Sequence, residues 1–315
     1  MFQHLLVPLD GSAAAEQAAW VAAGIARRAS ARMTLLHVIE QAPPSRVHDQ
    51  RHLRSGPEAE LYLGNLADRM RAAGLDVARH VHLTPTRGTA DSLGFHAEEC
   101  GADLVVMCAH GPVRLRDRLV GNLGQQLAGI VQVAVLLLRV TDGREIAFPF
   151  RKVLVALDGQ PEHERGLAPA AALATVCQAP MHLITVVSTS SSAPMGQPAT
   201  SMYLPGTTQQ ILRLRERQAE VYLAGHLARL RERGIAASAE VATGDPADTI
   251  AKAVNTCGAD VVVLTTHGKA GTEAFWSRSL PPKLLRRLDA AFLLVPAGDG
   301  SVPNADEKPQ AGDAD

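Results

Sequence analysis

The chain repeats itself, and that repeat limits the folds open to it more than any other feature. An apolar run, Leu104-Val105-Val106-Met107, leads into Cys108-Ala109-His110-Gly111, and the same layout returns at Val261-Val262-Val263-Leu264-Thr265-Thr266-His267-Gly268. Gly88 and Gly244, Asp103 and Asp260, and His110 and His267 stand 156, 157 and 157 residues apart. A chain of 315 residues has room for two such units as domains of ordinary size. The apolar run lacks polar alternation, as a parallel strand covered on both faces does. It breaks at His110-Gly111, where a glycine permits close approach of the backbone to a ligand. A second break, Gly121-Asn122, follows ten residues on. Two small-residue loops after one strand can aim backbone N–H groups at an anion, so each unit carries a candidate phosphate cradle.

In chain order, Leu5–Leu9 reads as a strand stopped by Asp10-Gly11-Ser12, with Ser12 as N-cap of an Ala-rich helix to about Ala29. A strand over Met33–Ile39, a loop over 41–57 and a helix closed by Gly74 follow. Val77–Leu83, a helix from Gly88 to Cys100, a strand from Asp103 and a last strand over Val133–Val140 complete the unit. From Arg151 the order repeats, with strands predicted at 153–157, 181–187, 235–241, 260–264 and 292–295 and a Ser/Pro/Gly-rich loop at 188–206. Five strand–helix alternations favour a doubly wound, five-stranded parallel sheet with helices on both faces. Ligands of such sheets bind beyond the strands' C-terminal ends, at the switch point, where Asp10, Val38 and the loop from Cys108 to Gly111 converge. The units are bounded as 1–143 and 151–297. Residues 298–315, with five acidic groups and one Lys, read as a disordered acidic tail.

Charge excludes one class of partner. Residues 1–143 hold 14 basic and 14 acidic side chains, and 151–297 hold 15 and 12, so neither unit has the excess that nucleic-acid binding requires. No apolar run is long enough to span a bilayer, and no signal peptide is read at the N-terminus. The expectation is a cytoplasmic protein without membrane contact. Four Cys in a chain this long make no disulfide framework, and Cys100 and Cys257, at equivalent repeat positions and with no CxxC motif in the chain, read as small buried thiols. Neither GxxxxGK[ST] nor GxGxxG occurs, so the P-loop hydrolase and dehydrogenase readings lack their motifs.

Val7-Pro8-Leu9-Asp10-Gly11-Ser12, Leu35-Leu36-His37-Val38, Gly88, Ala102-Asp103-Leu104-Val105-Val106-Met107 and His110-Gly111 with Gly121 together resemble the universal stress protein domain. The second unit carries the same series, so the resemblance covers nearly all of residues 1–297. It implies two Rossmann-like domains of the adenine nucleotide alpha hydrolase type, and a subgroup that holds ATP, with or without Mg2+. The subgroup's signature is Gly, two residues, Gly, nine residues, then Gly followed by Ser or Thr. Here Cys108, Gly111, Gly121 and Asn122 occupy those places, beside His110 and Leu123. The resemblance places Asp10 on the ribose and Pro8, Val38 and Met107 around the adenine. In the second unit the signature reads Thr265, Gly268, Arg278 and Ser279, with Asp158 and Val186 at the ribose and adenine positions. No catalytic residue and no metal ligand is assigned, and the expectation is a nucleotide-binding stress or regulatory protein without efficient turnover. ATP is expected in the first unit in preference to the second.

Other readings stay open. Asp10 and Asp158 serve either a ligand or only an Asx turn. Arg278 either blocks the second cradle or meets a phosphate from outside it. His110 is either a loop histidine or a catalytic one. An interaction scaffold, or a binder of another small molecule, competes with the ATP reading. The two final strands are apolar enough to be aggregation hazards unless covered, which predicts that they pair within the chain. A further homodimer is compatible with this.

Overall fold

The computed structural model describes residues 2–39, 46–47, 50–51, 53–83, 88–110, 127, 130–140, 146–188, 205–266 and 275–297. The first unit contains β1 (His4–Pro8), α1 (Ala13–Ala29), β2 (Arg32–Val38), the two-residue strands β3 (Arg46–Val47) and β4 (Gln50–Arg51), α2 (Gly56–Ala72), β5 (Val77–His82), α3 (Thr89–Glu99), β6 (Leu104–His110) and β7 (Ala134–Val140). The second contains β8 (Val153–Leu157), a 3-10 segment (Pro161–Gly166), α4 (Leu167–Cys177), β9 (Met181–Val187), α5 (Pro205–Glu232), β10 (Ala237–Thr243), α6 (Pro246–Cys257), β11 (Val261–Thr266), α7 (Phe275–Arg287) and β12 (Ala291–Pro296). Parts of the loops expected at 41–57 and 188–206, and the tail at 298–315, lie outside the described residues.

Ten strands form one sheet in the order β10-β9-β8-β11-β12-β7-β6-β1-β2-β5. Within this sheet every neighbour inside a unit is parallel, as right-handed strand–helix–strand crossovers dictate, while β3 and β4 form a separate antiparallel pair. Between the units, β7 and β12 pair antiparallel, with Val135, Leu136 and Leu137 opposite Leu294, Leu293 and Phe292. The apolar strands need cover on both faces. One face carries α1, α2, α4 and α5, the other α3, α6, α7 and Leu127. Each core runs across the seam: Leu136 and Leu293 belong to the first, Leu137 and Phe292 to the second. Arg139 of β7 adds a polar tie. Its guanidinium donates to the Leu285 carbonyl in the last turn of α7, where a cation is favoured, and lies 3.5 Å from Asp289.

The two units start differently for a local reason. Ser12 caps α1, its Oγ accepting from the Ala15 N–H at 3.1 Å. The equivalent residue is Gln160, whose side chain makes no cap, and the chain runs through the 3-10 segment before α4 begins. The strand expected at 235–241 forms instead at Ala237–Thr243. Gly234 turns at φ +72, and the Ile235 N–H closes the end of α5 on the Leu230 carbonyl at 3.0 Å. Ile235 is buried there and belongs to the helix terminus rather than the strand. Among the described residues no helix is long and apolar enough to cross a membrane.

Candidate functional site

Sheet order reverses beside β1 and β6 in the first unit and beside β8 and β11 in the second, which marks two switch points. At the first, β1 ends in Pro8 and delivers Asp10, whose Oδ1 accepts from the Ser12 N–H at 2.8 Å. Gly11 turns there at φ +88, and a Cβ on it would lie 2.8 Å from Cγ of the buried Leu53. The turn is pinned to β2: Leu9 N–H donates to the Leu36 carbonyl at 2.8 Å, and His37 Nδ1 donates to the Leu9 carbonyl at 2.6 Å. Val38, at the end of β2, and Met107, within β6, are buried members of the same core face. Next to Met107, burial and then the charge of Asp10 push the Cys108 thiol up to about 12. That thiol is neutral at physiological pH and offers no nucleophile.

Tyr62 of α2 completes this corner, its hydroxyl pushed up by burial first and then by the charges of Glu16 and Asp10. His110 is the last residue of β6. Gly111, Gly121, Asn122 and Leu123 lie outside the described residues.

The second switch point is arranged differently. Asp158 Oδ1 accepts from the Gln160 N–H at 3.1 Å, and its Oδ2 accepts from His163 Nδ1 at 2.6 Å. Thr265, which stands where β6 has Cys108, donates from Oγ1 to the His163 carbonyl at 2.8 Å. The 3-10 segment therefore lies against the end of β11. Gly166 is needed for that approach, since a Cβ there would lie 2.9 Å from Thr265 Oγ1. Behind it, His226 sits 3.4 Å from Glu164 and edge-on to the Tyr222 ring. The remaining cleft, lined by Ala156, Leu157, Asp158, His163, Thr265 and Leu280, encloses about 20 Å3, room for about one water. Val186 is buried at the end of β9. Gly268 lies outside the described residues, and Ser279 is placed only as a position in α7.

The structure thus brings Asp10, Cys108, Val38 and Met107 together at one edge, and Asp158 and Thr265 at the other. Sequence reasoning missed His163, and it missed a repeated carboxylate–tyrosine corner. Asp10 and Glu16 recur as Asp158 and Glu164 at an offset of 148 residues, while Tyr62 recurs as Tyr222 at 160. Those two offsets, compared with the 157 of the later segments, were the available signal.

The sequence pattern of the universal stress protein family matches twice, over residues 1–139 and 149–296. A search of curated proteins found no match. Among solved structures, a universal stress protein from Archaeoglobus fulgidus superposes with a TM-score of 0.65 at 16% identity, covering 95% of this chain and 97% of that one. A functionally unknown protein from Pseudomonas aeruginosa gives 0.63 at 17% identity, with 94% and 92% covered. A third structure, described as a putative universal stress protein from another Pseudomonas aeruginosa strain, gives 0.61 at 16%, with 94% and 93% covered. At such identities the superpositions speak for the fold alone, and the double match over almost the whole chain establishes that this protein belongs to the universal stress protein family, with two family domains in tandem.

Proposed function

We propose that the protein binds an adenine nucleotide, ATP with or without Mg2+, at the edge formed by β1, β2 and β6 of the first unit. It would act in a stress-response or regulatory role inside the cell, without efficient turnover. One observation carries the preference for the first unit. Among the described residues, Asp10 is held through Oδ1 by a turn N–H, whereas Asp158 gives both carboxylate oxygens to groups of its own unit. A carboxylate at a switch point accepts well from a ribose hydroxyl, and a hydrogen bond to a charged acceptor contributes about 1.5–3 kcal/mol. Val38 and Met107 supply an apolar wall beside it, suited to a flat heterocycle.

At the second edge, the Asp158–His163 pair and the small cleft favour a different reading: a site that is closed by its own chain or takes a smaller ligand. We further propose that the two units work as one fixed pair through β7 and β12. Denaturing the purified protein and assaying the supernatant for adenine nucleotide, followed by calorimetry with ATP, tests the main reading. Bound ATP or ADP, or a single saturable site, is expected. No nucleotide and no heat at millimolar ATP would sink it.

A further inference from the structure

At β5, two strands out from β1, three imidazoles meet at the sheet's outer edge. His80 and His82 lie two apart on β5, so their side chains leave the same face of the strand. The third, His96, comes from α3 and is buried. One ring nitrogen from each lies within 4.8 Å of the others. The closest pair, His96 Nε2 and His82 Nδ1, is 2.9 Å apart, and the His80 and His96 ring centroids are 4.6 Å apart. We propose that His80, His82 and His96 bind one Zn2+ ion through three nitrogens, leaving a fourth position toward solvent beside the exposed His80.

Two features support the assignment. Zinc holds nitrogen at about 2.0–2.1 Å, so tetrahedral ligand atoms stand roughly 3.3 Å apart, and small side-chain rotations bring these nitrogens to that spacing. Glu99 accepts from His96 Nδ1 at 2.7 Å, the carboxylate partner that fixes the tautomer of a metal-binding imidazole and aims its other nitrogen at the ion.

The fold alone does not require this cluster. Sheet register makes Val77 and Ala237 equivalent, so His80 and His82 become Glu240 and Ala242 in the second unit. His96, four residues before Cys100, corresponds to Ala253, four before Cys257. The same architecture forms without any of the three histidines, and one ion per chain is expected. That ion would clamp α3 to the outermost strand, and His82 pairs in the sheet with Val38 of the candidate nucleotide wall. Zinc binding itself does not depend on the nucleotide reading.

The test uses the full chain, stripped with chelator and dialysed against Zn2+ alone, with retained metal measured by inductively coupled plasma mass spectrometry. One zinc per chain is expected. The single His80→Ala change and the double change His80→Ala with His82→Ala should each remove it, while Glu99→Gln weakens binding about 10–100-fold. His80 is exposed, so its loss leaves the fold intact, and circular dichroism checks this. Failure of the wild-type chain to retain zinc, or equal retention by the double variant, would overturn the assignment.

Discussion

Asp10 and Asp158 occupy equivalent places, yet their surroundings predict opposite responses to one substitution. Asp10→Asn keeps an oxygen for the Ser12 N–H and removes the charge offered to a ligand. Its loss should weaken ATP binding about 10–100-fold, the equivalent of one hydrogen bond to a charged acceptor. Asp158→Asn should leave ATP affinity unchanged, because that carboxylate already serves Gln160 and His163. Calorimetry on the two variants decides, and the reverse pattern would move the working site to the second unit. Cys108 gives an independent check. With its thiol pushed up to about 12, by burial first and then by the charge of Asp10, Cys108 carries almost no thiolate at pH 7. Iodoacetamide with mass-spectrometric readout should find Cys108 protected in the native protein and labelled in urea. Equal labelling in both would show that the corner is open.

Helices α1 and α5 each carry an interior glycine, and their packing predicts opposite signs for Gly→Ala. Alanine is favoured over glycine in a helix by about 1 kcal/mol. At Gly225 of α5 nothing lies within 4 Å of the added methyl, so that gain should appear in full. At Gly24 of α1 the methyl would lie 2.5 Å from the Phe148 ring, which belongs to the segment joining the units. Overpacking costs about 1–3 kcal/mol and should outweigh propensity. Urea midpoints should therefore rise for Gly225→Ala and fall for Gly24→Ala. Neither sign is readable from sequence, because nothing in it places Phe148 over α1. The strands were legible, since uninterrupted apolar runs such as Val261–Leu264 have few alternatives. The start of β10 was misread because Ile235 is apolar for the sake of a helix end. The 3-10 segment was missed because its cause is a cap that Gln160 does not supply. Half of the candidate site, from Asp10 to Cys108, followed from sheet topology. His163 did not, since its role depends on how one turn lies against β11.

In the whole molecule, both cores cross the β7–β12 seam, so the units should unfold together. Trp20 lies in the first unit and Trp276 in the second, and they are the only tryptophans. Single-tryptophan variants should give coincident urea transitions, whereas two separated midpoints would mean that the units hold independently. Truncating Phe292, fully buried at the seam, should lower both transitions together by about 3–5 kcal/mol. The seam also bears on how such a protein can diverge. Two identical chains joined across a twofold axis must present the same pocket twice, and dilution separates them. A covalent pair holds its halves at an effective concentration that no dilution alters. Each half can then change alone: Cys108 and Gly121 on one side, Thr265, Arg278 and His163 on the other. One edge is left free to specialise while its twin keeps the sheet whole.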